Sequence, residues 1–155
     1  MKIYLYILIS AFLSSSCEQK ETKKKSTNTH LESLKHGFKS AKEYTPLSFI
    51  KASQNRNTLN IFETQNDFPK GWVKIGDIDS LVSIIDSKEK CNCYFNPFSS
   101  YIPNDSAQVG GFAIEFIKAF KENKKVDLGL YSCPKVDEKE AEELKVWWKN
   151  YSGNK

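Results

Sequence analysis

The residue types in this chain that support metal binding or nucleophilic chemistry are four cysteines and two histidines. They are Cys17, Cys91, Cys93, Cys133, His30 and His36. A closed structural zinc site uses four ligands, and both histidines lie near the N-terminus, far in sequence from the last three cysteines. A catalytic thiol needs a neighbouring base, which is usually histidine, and no histidine follows His36 in the chain. We therefore assign no metal ligand, cofactor or catalytic cysteine.

Carboxylates offer another route to catalysis, because two of them can hydrolyse a glycosidic bond without histidine. Asp77 and Asp79 stand at the start of a helical pattern, so we interpret Asp77 as an N-cap and Asp79 as a first-turn acid. The sequence contains neither a GxSxG nucleophile elbow nor an HExxH zinc motif. A carboxylate-only hydrolase using Glu115, Asp86 and Asp127 stays open, although we favour a non-enzymatic protein.

The N-terminal segment has the pattern of an export signal. Lys2 precedes a nearly unbroken apolar run, Ile3–Leu13, which three serines and Cys17 follow. This order is that of a secretory signal, and the run is shorter than the ~20 residues of a transmembrane helix. The segment resembles the lipobox of bacterial lipoprotein signal peptides, although Ser14 stands where that pattern favours leucine. The resemblance implies cleavage before Cys17 and its acylation with fatty acid such as palmitate. A conventional signal peptide cut nearby is the alternative.

Charge is unevenly distributed along the chain, whose formal net charge is +4. Residues 18–43 contain seven lysines and four glutamates, a net +3, whereas residues 44–155 contain 15 basic and 15 acidic side chains. Nucleic-acid-binding domains concentrate basic residues on one surface, so we expect no nucleic-acid partner. The basic segment either contacts anionic lipid headgroups or is a soluble tether. We expect a signal peptide (1–16), a tether (17–43), helical from about residue 30, and one globular domain (44–155).

Two amphipathic patterns predict helices in the middle of the domain. Apolar residues at helical spacing mark Ile78–Ile85, and a broad apolar face marks Val109–Phe120, which Asp105 or Ser106 is expected to cap. Gly110–Gly111 suggests a phosphate loop, but neither spaced glycine motif is present. We favour close packing of this helix against a neighbour.

A third helix is predicted at the C-terminus. Asp137 with Glu140 three residues later is a variant of the capping box. Trp147 and Trp148 lie on the apolar side of this helix, where we expect them to close the core.

The predicted fold is mainly α, with three or more amphipathic helices in one compact domain and at most a short β pair. An α+β fold is the alternative. The candidate strands are Thr58–Thr64 and Val126–Leu130, which are short and rich in β-forming residues.

Export to an oxidising compartment favours a disulfide among the remaining thiols. With Cys17 acylated, three thiols are left and one bridge can form. We favour Cys93–Cys133, with Cys91 as the alternative partner, because spacing alone does not decide connectivity.

An aromatic segment follows these cysteines. Tyr94, Phe98 and Tyr101 are interspersed with asparagine and proline, a composition that contact surfaces use because tyrosine buries area at low entropic cost. Packing of the rings onto the core is the alternative.

Taken together, these features predict a lipoprotein anchored to a membrane of the bacterial cell envelope, at the outer membrane or on a periplasmic face, through acylated Cys17. Its mature part resembles only small lipoproteins of uncharacterised function. We expect a non-enzymatic binding or protective module, either of the immunity type or one that binds a protein or glycan ligand. The alternatives are the carboxylate hydrolase and a structural component of the envelope.

Overall fold

The structure, a computed structural model, describes residues 39–57, 61–64, 68–101 and 104–153. These residues belong to one compact unit, His36–Lys155. The predicted signal peptide, Cys17, both histidines, the tether up to residue 38 and the first three residues of the predicted strand Thr58–Thr64 lie outside the described residues. Within the described ranges, no helix combines the length and the apolar character needed to span a bilayer.

Four α-helices and a short 3-10 helix, Ala41–Glu43, are present in the described residues. The α-helices are α1 (Pro46–Ser53), α2 (Ile75–Ser83), α3 (Val109–Lys121) and α4 (Glu138–Gly153). Helix α1 begins with a capping box, in which the Thr45 hydroxyl accepts the Ser48 N–H at 3.2 Å. Pro46 takes the first helical position, where its missing N–H has no partner to lose.

Five short strands are present in the same described residues. They are β1 (Ile61–Glu63), β2 (Lys90–Cys91), β3 (Cys93–Phe95), β4 (Ala107–Gln108) and β5 (Tyr131–Ser132). Strand β3 is central in a mixed sheet, parallel to β1 and antiparallel to β5, while β2 and β4 form a separate antiparallel pair. The fold is therefore α+β, and the mainly α prediction was wrong.

The starts of two helices differ from the prediction. Helix α2 begins at Ile75, and Asp77 lies inside it, where Asp77 Oδ2 accepts the Lys74 backbone N–H at 2.8 Å. Asp77 is thus not the N-cap, although its carboxylate still satisfies an amide at the helix start. Helix α3 begins after both predicted caps, Asp105 and Ser106, because the residues that follow them form β4.

The C-terminal helix starts as predicted, and its tryptophan is tied to α2. Asp137 Oδ1 accepts the Glu140 N–H at 3.0 Å at the beginning of α4. Trp148 is buried, and its indole N–H donates to Asp79 Oδ1 at 2.6 Å. Asp79 therefore holds α4 against α2 and does not form a carboxylate pair with Asp77.

The predicted strand Val126–Leu130 is not a strand, because a turn interrupts it. Gly129 has φ +62°, a left-handed conformation that strands do not use, and its N–H donates to Asp127 Oδ1 at 2.9 Å. Val126 and Leu128 are buried whereas Leu130 is exposed. The alternating apolar pattern thus reflects a segment packed on the core, and the strand begins only at Tyr131.

The paired glycines bring the start of α3 against two other segments. A Cβ at Gly110 would overlap the carbonyl oxygen of Ile85, and one at Gly111 would overlap the carbonyl of Pro134. The Gly110 N–H also donates to the Ser87 carbonyl at 2.9 Å. This amide is engaged by the protein itself, so the glycines serve close packing, as the sequence favoured.

The interior contains an aromatic cluster centred on Phe49 of α1, which is fully buried. The rings around it come from the segment before α1, strands β1 and β3 of the mixed sheet, the loop before α2, and α3. They are Tyr44, Phe62, Phe68, Trp72, Tyr94, Phe112 and Phe116, at centroid distances of 4.9 to 6.3 Å from Phe49. Most of these pairs are edge-to-face, the arrangement that aromatic quadrupoles favour. We call this group the interior cluster.

Candidate contact surface

Cys93 and Cys133 form a disulfide, the pairing favoured from the sequence. Their Cα atoms are 4.6 Å apart and their sequence separation is 40 residues. The antiparallel register that sets Tyr94 opposite Ser132 brings the preceding Cys93 opposite Cys133. The bridge therefore extends the pairing of β3 with β5 by one covalent link.

The alternative partner, Cys91, is a free and fully buried thiol in the other sheet, where it lies opposite Ala107. Burial raises the pKa of this thiol, an effect that Glu89 adds to and that the Ser53 hydroxyl, Lys135 and Arg56 oppose. Because the thiolate is the reactive form, a buried neutral thiol is a poor nucleophile. Cys91 thus belongs to the core.

The structure separates the three aromatic residues that the sequence grouped as ligand contacts. Tyr94 is only 3% exposed and belongs to the interior cluster, so it does not lie on a surface with the other two. Phe98 is 90% exposed and Tyr101 is 56% exposed. One ring of the segment therefore packs inside, whereas two face outward, and their role as ligand contacts stays a prediction.

Two residues that the sequence did not single out lie beside this exposed loop. Leu130 is 56% exposed, and the Tyr131 ring lies 5.0 Å from the Tyr101 ring. The Asn96 N–H donates to the Leu130 carbonyl at 2.9 Å, which joins the loop after β3 to β5. We call Phe98, Tyr101, Leu130 and Tyr131 the aromatic surface. The composition of the loop indicated Phe98 and Tyr101, but Leu130 continues the alternation of the buried Val126 and Leu128, so no local pattern marks it as exposed.

Local hydrogen bonds shape the exposed loop. Asn96 Oδ1 accepts the Phe98 N–H at 3.0 Å, and the Asn96 carbonyl accepts the Ser99 N–H at 2.8 Å. Ser99 Oγ then accepts the Tyr101 N–H at 3.2 Å. These bonds form an Asx-type turn that projects Phe98 outward. The side-chain amide and hydroxyl of the loop therefore have a structural role in presenting the rings.

The disulfide lies directly behind the aromatic surface. The Tyr131 hydroxyl is 2.8 Å from Cys133 Sγ, to which it donates because the bridged sulfur carries no hydrogen. Burial raises the pKa of Tyr131, and the neighbouring Tyr101 and Asp105 add to that effect. The covalent bridge thereby fixes one ring of the surface.

A charged pair lies close to the disulfide. Lys135 Nζ is 3.0 Å from Asp105 Oδ1 and also donates to the Ser106 carbonyl. The Ser106 N–H and the Lys135 ammonium hold the pKa of Asp105 below its usual range. Both side chains are about half exposed. Polar residues beside an apolar centre resemble the rim of a protein interface.

The carboxylates considered for catalysis have separate partners. Glu115 Oε1 lies 3.7 Å from Lys118 Nζ, and Asp86 Oδ2 lies 2.6 Å from Lys145 Nζ. Asp127 accepts the Gly129 N–H in the turn described above. Each therefore contributes to a local ion pair or turn. Among the described residues, no group of three or more His, Cys, Asp or Glu side chains is placed to hold a metal ion.

Fold and site define a small disulfide-containing α+β domain that exposes an aromatic surface at one edge of its mixed sheet. No protein-family model, curated protein or solved structure matches this chain. Its function is therefore argued from the residues and geometry themselves.

Proposed function

We propose that this chain is a lipoprotein of the bacterial cell envelope whose domain is a non-enzymatic binding module, docking a protein partner through the aromatic surface. Protection of the cell against a toxin, as in immunity proteins, is one form of such a function, since neutralisation needs only a complementary surface. The N-terminal lipobox resemblance supports the anchor at Cys17. The exposure of Phe98 carries the binding assignment.

An almost fully exposed phenylalanine contrasts with the rest of this well-filled domain. Transfer of apolar area from water is favourable by about 25 cal/mol per Å², so an uncovered phenylalanine leaves binding energy unused. Exposed apolar groups that cluster, rather than stand singly, mark interaction sites. Here Phe98, Tyr101 and Leu130 are all exposed, and the Asn96–Leu130 hydrogen bond and the Tyr101–Tyr131 ring contact join the loop that contains Phe98 to the segment at β5.

The composition of the surface fits a protein partner. Tyrosine and phenylalanine are enriched at the centres of protein interfaces, where charged residues are depleted. The aromatic surface contains two tyrosines, one phenylalanine and one leucine, and the Lys135–Asp105 pair lies close by. The turn and the disulfide restrain the rings before binding, which lowers the entropic cost of association.

The carboxylate hydrolase has no specific observation in its favour. Glu115, Asp86 and Asp127 are held by Lys118, Lys145 and a backbone amide, respectively. A glycosidase would need two of its carboxyl groups to flank one bond, at about 5 to 10 Å from each other. The structural envelope component differs from our proposal only in the identity of the partner.

The binding assignment is tested by capture from detergent-solubilised membranes with matched surface variants. Phe98→Ser removes the most exposed ring, while Val146→Ser removes an exposed apolar side chain on α4, away from the aromatic surface. We expect one stoichiometric protein partner with the wild type and Val146→Ser, and at least about a tenfold loss of it with Phe98→Ser, since hot-spot truncation costs about 2 kcal/mol.

Retention of that partner by Phe98→Ser would place binding elsewhere, and absence of any stoichiometric protein would contradict a protein-binding function. Thermal melts of both variants serve as the folding control. Neither surface substitution is expected to change stability by more than about 0.5 kcal/mol.

The anchor is tested separately by metabolic labelling with a radioactive or alkyne fatty acid. The wild-type protein is expected to carry the label and Cys17→Ala to lack it. Label that persists in Cys17→Ala would contradict the lipoprotein assignment and leave the binding assignment to the capture experiment.

A further inference from the structure

Two neighbouring clefts lie where α3 ends. Their volumes are about 350 and 380 Å³, and both are lined by Lys124 and Val126. Each falls within the range of small-ligand sites, which is roughly 300 to 1,000 Å³. Because they share these two lining residues, the clefts adjoin, and together we call them the α3-end groove.

Aromatic side chains line the first half of the groove. Phe120, Trp147 and Tyr151 line it together, and the Trp147 and Tyr151 rings are 5.5 Å apart with an angle of 30° between their planes. Tyr151 is 40% exposed and Trp147 is partly buried. Tyr151 also stacks on Trp148 at 5.5 Å, so the two lining rings contribute the parts of their surface that this packing leaves accessible.

Positive charge is concentrated along the same groove. Three lysines, Lys121, Lys124 and Lys125, line its two halves, against one lining carboxylate, Asp127. The ammonium of Lys121 lies 5.6 Å from the centre of the Trp147 ring, so cation and aromatic face occupy one site. Clefts lined by one sign of charge concentrate ligands of the opposite sign.

One acidic side chain lies beside these lysines. Glu122 Oε2 is 2.7 Å from Lys124 Nζ, and this contact lowers the pKa of Glu122. The Lys124 side chain is 71% exposed, and pairs of this kind are worth little in water. Lys124 can therefore exchange Glu122 for a ligand anion at small cost.

The backbone at the end of α3 is shaped to present Lys124. Asn123 has φ +51°, the left-handed conformation, and it is the only described non-glycine residue with positive φ. The Asn123 N–H donates to the Phe120 carbonyl at 3.0 Å, and the Lys124 N–H donates to the Ala119 carbonyl at 2.9 Å. This left-handed cap turns the chain abruptly after the helix and sets Lys124 between the two clefts.

We propose that the α3-end groove binds a linear anionic saccharide. A sugar ring has an apolar C–H face and polar edges, so it can stack on Trp147 or Tyr151 while an acidic substituent reaches Lys121 or Lys124. Lys125 extends the positive charge into the second half of the groove, where a further ring of the saccharide would lie. This site shares no lining residue with the aromatic surface and stands independently of the protein-binding function.

The test uses isothermal titration of the full-length protein in detergent with trigalacturonate, which carries carboxylates, and with maltotriose, a neutral saccharide of the same ring number. Mannose 6-phosphate is included to distinguish a phosphate from a carboxylate as the anion. We expect saturable binding of at least one anionic probe, binding that weakens as salt rises, and no saturable binding of maltotriose. Tryptophan fluorescence should change on binding, because Trp147 lies at the site.

Lys124→Gln is expected to weaken binding of that probe about tenfold, since a hydrogen bond to a charged group contributes about 1.5 kcal/mol or more. Trp147→Phe keeps an apolar ring and should weaken binding by a smaller factor. Lys139→Gln removes an exposed lysine from the start of α4, outside the groove, and serves as the matched control with unchanged binding. Melting temperatures of all three variants are measured alongside.

Three results would overturn the assignment. They are equal binding of maltotriose and the anionic probes, equal weakening by Lys124→Gln and Lys139→Gln, and no saturable binding of any probe. Loss of saccharide binding in Phe98→Ser, but not in Lys124→Gln, would also overturn it by moving the site to the aromatic surface.

Discussion

The interior cluster and the aromatic surface contain the same kinds of residue, but those of the first are buried in the core and those of the second are largely exposed to solvent. Tyr94 and Phe98 are four positions apart, yet Tyr94 is 3% exposed and Phe98 is 90% exposed. The difference arises because Tyr94 is in the central strand, with Phe62 opposite it on one side and Ser132 on the other, whereas Phe98 lies in the turn that follows. Aromatic content alone therefore says little about whether a ring stabilises the fold or awaits a partner.

The two groups also differ in what holds them in place. The interior cluster is held by packing among α1, α3 and the sheet, because Phe49 of α1 contacts rings from both α3 and the sheet. The aromatic surface has few rings to pack against and relies on the turn at Asn96 and on the disulfide behind Tyr131. Loss of packing should thus damage the first, and loss of covalent restraint should damage the second.

The largest effect is expected from matched alanine substitutions in the two groups. Phe49→Ala should lower the free energy of unfolding by about 3 to 5 kcal/mol, because it leaves a cavity amid close-packed rings. Phe98→Ala should change it by less than about 0.5 kcal/mol, because the ring is already in water. Urea unfolding followed by far-UV circular dichroism measures both.

A cost for Phe98→Ala comparable to that of Phe49→Ala would break the comparison, since it would show that Phe98 packs on the domain in solution. Unchanged urea m-values in the two variants would show that both unfold from similarly compact states.

The second effect concerns the disulfide behind the aromatic surface. A bridge that spans 40 residues restricts the unfolded chain by about 4 kcal/mol in the loop-entropy estimate. We expect the double variant Cys93→Ser with Cys133→Ser to lose up to that amount, measured by urea unfolding against the oxidised wild type. Reductant should destabilise the wild type by a similar amount and leave the double variant unchanged.

Binding offers a sharper comparison at the same site. If the disulfide restrains the aromatic surface, the double variant should lose capture of the partner at temperatures where the domain is still folded. Full capture by the folded double variant would show that the turn at Asn96 alone fixes the rings.

The sequence predicted the long elements of the fold better than the short ones. Helical spacing identified the apolar faces of α2 and α3, and the Asp137–Glu140 pattern located the start of α4. Strands of two or three residues carry too little alternation to be recognised, so β2, β3, β4 and β5 were missed. Missing β3 made the fold appear mainly α, because β3 is the strand that joins β1 to β5.

Only part of the candidate site was predicted from the sequence. The composition of the loop indicated Phe98 and Tyr101, but Leu130 and Tyr131 join the aromatic surface through pairing of β5 with β3, which is a long-range contact. The α3-end groove was not predicted, because its walls come from the end of α3, the loop before α2, and α4. Local sequence patterns do not predict such contacts between segments that are distant in the chain.

The smallest expected effect contrasts the buried thiol with the bridged ones. Burial raises the pKa of Cys91, so the folded state holds its proton at a pH where the unfolded chain has lost it. The stability that Cys91 contributes is therefore fully present below the unfolded pKa of about 8.5 and is lost as the pH rises towards the folded pKa. Each pKa unit by which folding raises the pKa of Cys91 corresponds to at most about 1.4 kcal/mol of the free energy of unfolding.

Urea unfolding of the wild type and Cys91→Ala between pH 7 and about pH 9.5 isolates this contribution. The difference in stability between them should narrow as the pH rises, since alanine does not titrate. Burial raises the pKa of Tyr44 and of Tyr131 as well, but tyrosines titrate near pH 10 and are shared by both proteins. A constant difference across this range would mean that the pKa of Cys91 is not raised in the folded state and that this thiol is as accessible to water as in the unfolded chain.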